Sequence, residues 1–357
     1  MTPMPSHTGS ARRGSAASGT ADMQVGIWLP VYGGWLRTLD IPPEASIRSC
    51  LDTAQLAEAC GYDFLYCSEN LLNPVHGPTA AVIDAWSLLS AVAATTRRID
   101  LCAAVKPGFR SALQVARMVD TISGIANRRI AIGIVCGWWQ AEFDKAGVAW
   151  LDHAGRYDRA EAFLTELHDL FENGDHGLTR AHHPDAWIAG QSTRAIEMTA
   201  DSGTCLFLNG MEDDDLAQLV TAQRDAAAVK GRKVTIAINA HVIAEPTNSA
   251  AQARLDQLIA RRDARSIALF RTIMQQSGAA SWANLDDAAM VDSNAGFAAG
   301  LIGDYATLRA RVRQLHALGV DRILCQFDTP EIDAPAFMSE VITPLRTPTP
   351  AQVAALP

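Results

Sequence analysis

Lysine is scarce in this chain, standing only at positions 106, 145, 230 and 233, so arginine carries almost all of the basic charge. We read that scarcity as genome composition rather than function. Basic residues form no stripe and the formal charge is −9, which argues against a nucleic-acid partner. No apolar run reaches the roughly 18 to 20 residues that span a bilayer, so no membrane segment is expected. The seven cysteines (50, 60, 67, 102, 136, 205 and 325) include no C-x-x-C pair. Scattered thiols, several inside apparent strands, point to reduced cysteines in a cytoplasmic protein and make a structural zinc improbable. The adjacent His182 and His183 have no third ligand nearby and read as loop residues, so no metal site is expected. Residues 1–22 lack apolar side chains almost entirely, and they are expected to form a disordered tail. No secretory signal is expected either, because Arg12 and Arg13 precede no apolar h-region.

What the chain does contain is alternation. With 48% hydrophobic and 19% charged residues it has globular values and material for a large core. Apolar runs at 25–32, 62–68, 99–105, 129–136, 186–190, 204–210, 234–244 and 321–327 read as strands. Helical patterns separate them at 46–61, 84–96, 111–125, 156–172, 192–202, 212–230, 248–264 and 304–318, with a last helix near 334–346. Eight strands each followed by helix predict a (β/α)8 TIM barrel, an α/β fold, as one domain over 23–347 with a C-terminal tail at 348–357. A doubly wound sheet is the alternative, but the loop after the first strand, PVYGGWLRTLD, does not fit G-x-G-x-x-G. Residues 265–300 interrupt the alternation with small and polar side chains, and a structureless lid-like insertion is expected there.

In such a barrel, function belongs to the carboxyl ends of the strands. Those ends carry Trp28 to Tyr32, Ser68 to Asn70, Lys106 to Phe109, Cys136 to Trp139, Gly190 to Ser192, Asn209, Asn239 to His241 and Gln326 to Asp328. Amides, aromatics and glycine dominate; no Ser-His-Asp order, H-E-x-x-H motif or close carboxylate pair stands out. That chemistry suits a planar cofactor bringing its own reactivity better than it suits hydrolysis.

The string KPGFRSALQVARMVDTISGIANRRIAIGIVCGWW (106–139), then EF (142–143) and AWLDHAGRYDRAEAF (149–163), resembles the bacterial luciferase-like flavin monooxygenases. The likeness is to the group of alkanesulfonate monooxygenase, dimethyl sulfone monooxygenase and pyrimidine oxygenase, densest over 99–172. The resemblance implies a two-component system, in which a separate flavin reductase supplies reduced FMN and O2 reacts at the flavin to oxygenate a small substrate. A homodimer or homotetramer is also expected. Two alternatives remain beside this reading: a deazaflavin-dependent dehydrogenase of the same superfamily, and a catalytically silent flavin-binding barrel.

By position, Arg156 and Tyr157 match the family's Arg-Tyr pair, and Gln191-Ser192 its phosphate contact. A Ser at 192 is equally expected as a helix N-cap. Glu69-Asn70, Gly137 and Glu142 fall at flavin-facing positions, and Lys106 is a candidate anion contact. Gly137 also permits a backbone turn. His241 occupies an active-site histidine's position, where an imidazole would hydrogen-bond the flavin or the substrate. With Trp138 as a wall and Asn294 in the lid, it makes up the expected catalytic set. Trp28, Trp35 and Trp139 are further candidate walls. Val82, Asn239 and Asn294 replace the alkanesulfonate enzyme's cysteine and two arginines, which favours a neutral organosulfur, amide or N-heterocyclic substrate over a sulfonate. Gly133 and Cys136 also depart from the pattern, and the segment 173–185 is shorter than its counterpart.

Overall fold

Strand Ile130–Val135 buries side chains on both faces, as it must when helices cover the outside of a barrel and side chains fill the inside. The same holds around the ring. The computed structural model describes residues 23–39, 46–173, 175–178, 183–277 and 285–346, so the tails expected at 1–22 and 348–357 lie outside the described residues. Its strands are β1 (Gln24–Trp28), β2 (Phe64–Cys67), β3 (Asp100–Val105), β4 (Ile130–Val135), β5 (Asp185–Ala189), β6 (Cys205–Leu208), β7 (Thr235–His241), β8 (Ile243–Glu245), β9 (Ile302–Asp304) and β10 (Arg322–Gln326). β1 to β7 and β10 close a parallel barrel in which β10 sits between β7 and β1. The TIM-barrel expectation is met.

The helices are α1 (Ile47–Cys60), α2 (Ala85–Thr95), α3 (Ala112–Ala126), α4 (Gln140–Lys145), α5 (His153–Glu172), α6 (Thr193–Asp201), α7 (Asp213–Val229), α8 (Asn248–Ala260), α9 (Ala264–Ser277), α10 (Tyr305–Ala317), α11 (Pro330–Phe337) and α12 (Thr343–Arg346). Local chemistry sets many of their ends. Ser111 and Gln114 form a capping box at the start of α3, and Gly61 closes α1 in the left-handed conformation.

Inside the barrel, large rings from some strands lie where an adjacent strand, or the next strand but one, offers glycine. A Cβ on Gly26 would collide with the Phe64 ring, and one on Gly133 with the Tyr66 hydroxyl. Small-against-large matching of this kind fills a tapered barrel to native density.

Three expectations need correction. The run 234–244 is not one strand: after His241 the chain leaves the barrel, and Ile243 donates its N–H to the Leu301 carbonyl, so β8 pairs with β9 in a separate two-stranded sheet. The run 25–32 stops at Trp28, because Pro30 has no N–H for a ladder. Most importantly, 265–277 is not structureless. α9 buries Ile267, Phe270, Ile273 and Met274 at helical spacing, and Asp263 caps it by accepting from Arg265 N (3.0 Å) and Ser266 Oγ (2.6 Å). The helix expected over 248–264 ends earlier, at Ala260, with Arg261 as its C-cap. Residues 285–300 follow with two short 3-10 turns, in which Met290 and Val291 are fully buried.

Candidate active site

The strand ends and α9 enclose a cavity of about 570 Å³ at the carboxyl mouth of the barrel. Its walls include Trp28, Tyr32, Trp35, Tyr66 and Phe207, a set of rings in mutual contact: Trp28 lies 4.9 Å from Trp35, 5.2 Å from Tyr66 and 5.8 Å from Phe207 between centroids.

One pole is built where β5 turns into α6. Ser192 caps α6 by accepting from Ala195 N (3.3 Å), and its hydroxyl donates to the Tyr157 hydroxyl at 3.1 Å. Gly190 is required here, because a Cβ would stand 2.7 Å from the Tyr157 oxygen. Burial pushes the Tyr157 pKa up to about 12, so it is a protonated donor near neutral pH. Gln191, Ser192, Arg156 and Tyr157 all line the cavity. The Arg156 guanidinium donates to the carbonyls of Leu151 (2.7 Å) and Ser277 (3.3 Å) and lies over the Trp150 ring, so it ties the start of α5 to the end of α9. A helix N-terminus beside two hydroxyls fits a phosphate group.

The opposite pole is a compensated charge cluster after β2 and β3. Lys106, 1% exposed, bonds Glu142 and the Asn70 side-chain oxygen. Glu142 accepts a further pair of bonds from Leu71 N (2.7 Å) and Leu72 N (3.3 Å). Glu69 accepts from Lys106 N (2.7 Å) and pairs with Arg110. Burial lowers the Lys106 pKa and the Glu142 carboxylate opposes that shift. Glu69, Asn70 and Lys106 line the cavity, whereas Glu142 stands behind Lys106. Gly137 also lines it; its φ of +108° and the Phe143 ring, 2.5 Å from where a Cβ would stand, both require glycine.

The cover comes from Trp138, from Phe270 and Met274 of α9, and from Ser293 and Asn294. Trp138 stacks on Trp139 at 5.8 Å and meets Phe270 edge-on at 6.1 Å. Trp139 itself packs in the adjoining core and does not line the cavity. His241 does not line it either. It is fully buried, its Nδ1 3.3 Å from Asp292 Oδ1 and its ring against Phe297. Asp292 in turn accepts from Asn294 N (3.1 Å) and Gly296 N, which places His241 behind the Ser293–Asn294 turn.

Two lining residues carry no sequence signal of their own. Arg37, 1% exposed, donates to the carbonyls of Met290 (3.0 Å), Asp292 (3.2 Å) and Pro74 (3.3 Å), and lies 3.6 Å over the Phe270 ring. Burial lowers its pKa to about 9. Tyr66 is the other, an apparent core residue of β2 whose hydroxyl reaches Gly133 of β4. No cluster of three or more potential metal ligands occurs among the described residues.

The sequence profile of luciferase-like monooxygenases matches residues 23–322. An FMNH2-dependent dimethylsulfone monooxygenase of Pseudomonas putida is 30% identical over 324 residues, covering 84% of this chain and 89% of that protein. Among solved structures, long-chain alkane monooxygenase superposes with a TM-score of 0.74 at 17% identity over 91% of each chain. An F420-dependent secondary alcohol dehydrogenase superposes at 0.67 and 13% identity, over 91% of this chain and 99% of that one. At such identities the fold alone is shared. The profile match across most of the chain, together with the 30% identical relative, decides the assignment: the chain belongs to the luciferase-like monooxygenase family.

Proposed function

We propose that this protein is the oxygenase component of a two-component system, using reduced FMN and O2 to oxygenate a small neutral organosulfur, amide or N-heterocyclic compound in the cytoplasm. A separate flavin reductase supplies the reduced FMN, and assembly as a homodimer or homotetramer accompanies this reading. Bound reduced flavin supplies the electrons that activate oxygen. Ser192, Tyr157 and the N-terminus of α6 hold the phosphate, with Gln191 beside it. Glu69, Asn70, Lys106 and Gly137 border the ring, and Glu142 fixes the Lys106 ammonium. Trp138 and Asn294 close the reacting volume with α9 and exclude water, while His241 acts from behind through Asp292.

The observation that carries the substrate class is that the cations on the cavity wall are already engaged by the protein. Lys106 is matched by Glu142 and Glu69 by Arg110, while Arg37 and Arg156 direct their donors at carbonyls. No cation on the cavity wall remains free, among the described residues, for bidentate recognition of a sulfonate. A neutral polar molecule between aromatic walls loses little on entering such a site.

Anaerobic titration with photoreduced FMN tests the cofactor assignment. Saturable binding of reduced FMN in competition with inorganic phosphate is expected; no binding at any concentration refutes the reading.

A further inference from the structure

Tyr66 is 1% exposed and lines the cavity, yet its hydroxyl makes no hydrogen bond among the described residues. The ring is buried, yet the hydroxyl itself is not sealed off from the cavity, so it is a polar group that a bound molecule can reach. The ring cannot swing to find a partner elsewhere. Trp28 (5.2 Å), Phe207 (5.3 Å) and Trp187 (6.3 Å) pack around it.

The hydroxyl reaches its position only because β4 has glycine at 133; any Cβ there would occupy the same space. The chain therefore commits two positions, on β2 and on β4 across the intervening β3, to placing one polar atom in an otherwise aromatic floor. Burial holds the Tyr66 pKa well above its ordinary value, so the phenol stays protonated and acts as a donor. What it meets must then offer an acceptor. The surrounding rings exclude a hydrated ionic group and accommodate a flat conjugated one. The Ser192–Tyr157 pole lies at the β5–α6 turn, and β5 is hydrogen-bonded to β4, so a ring system attached to a phosphate held there and directed into the barrel would approach the β4 side, where Gly133 and the Tyr66 hydroxyl lie.

We propose that the Tyr66 hydroxyl is a flavin-binding group, donating a hydrogen bond to an acceptor atom on the edge of the isoalloxazine ring, with Gly133 as the residue that makes room for it. This rests on the FMN reading above. It assigns Tyr66 to the ring and not to the phosphate, and that distinction supplies the test.

The experiment titrates wild type, Tyr66→Phe and Ser192→Ala with FMN and with riboflavin, which lacks the phosphate, by flavin fluorescence, and records the visible absorption of each bound flavin. Tyr66→Phe removes one oxygen and leaves the packing ring in place. It is expected to weaken FMN and riboflavin by the same factor, about three- to tenfold. The absorption band of bound flavin should also move, since only a ring contact perturbs it. Ser192→Ala should weaken FMN alone and leave the spectrum unchanged. Wild-type affinity and spectrum in Tyr66→Phe for both flavins overturn the Tyr66 assignment while leaving the FMN reading intact. Failure of the wild type to bind either flavin overturns both.

Discussion

The Ser192 hydroxyl donates to the Tyr157 hydroxyl at 3.1 Å while accepting the backbone N–H of Ala195, so one side chain both caps α6 and faces the cavity beside a protonated phenol. Tyr157→Phe is expected to weaken FMN binding by about 1.5 to 3 kcal/mol if the phosphate takes a charge-assisted bond from the phenol. Ser192→Ala should lose a similar amount and also about 1 kcal/mol of stability through the missing cap. Gly190→Ala, whose Cβ would crowd the Tyr157 oxygen, should mimic the loss without removing a donor. Fluorescence titration with FMN checks all three, and unchanged affinity in Tyr157→Phe would show the phosphate to lie elsewhere.

Lys106 and Glu142 form a fully buried pair, and removing one partner leaves an uncompensated charge. Glu142→Gln or Lys106→Met alone should destabilise the fold by about 3 to 5 kcal/mol. The double replacement with Met and Leu should recover much of that loss. Urea unfolding of the two single variants and the double variant measures the coupling. Additive losses would mean that the pair is not coupled in the folded protein.

Arg37 holds the cover through three carbonyls, two of them more than 250 residues away. Arg37→Lys keeps the charge but cannot reproduce the planar fork. In the presence of reductase, NADH and FMN, this variant should release more hydrogen peroxide per O2 consumed, as water reaches a loosened site. An unchanged peroxide yield would remove Arg37 from the account of the cover.

His76 supplies a pH dependence. Burial, reinforced by Arg37, lowers its pKa from 6.5 to about 4, with Asp263 opposing. The unfolded chain takes up a proton near pH 6.5 that the folded protein refuses until about pH 4. Stability from this group is therefore complete above 6.5 and is lost as pH falls through that window. Discounted for partial exposure, the loss is on the order of 2 kcal/mol. His76→Gln should flatten the melting temperature between pH 6.5 and 4; an identical pH slope would contradict the assignment.

The barrel was legible because each of its eight strands is a separate apolar run between helical patterns. Ser192 was legible as a strand-end residue and Tyr157 through the family's Arg-Tyr pair, and both lie on the cavity wall. α9 was missed because small and polar residues after Ser277 obscured the spacing of Ile267, Phe270, Ile273 and Met274. Arg37 could not be read, since its acceptors are backbone carbonyls and any residue type supplies those. Gly133 stood out as a departure, but its meaning lay in Tyr66, a residue whose strand pattern says only that it is buried.

The most direct test of the central claim supplies the protein with a flavin reductase, NADH, FMN and 18O2, together with a panel of neutral sulfones, amides and N-heterocycles and matching sulfonates. Mass spectrometry should find one 18O atom in the product of at least one neutral compound and none in the sulfonates. Recovery of the label only as hydrogen peroxide and water across the neutral panel, or oxygenation confined to the sulfonates, would contradict the account.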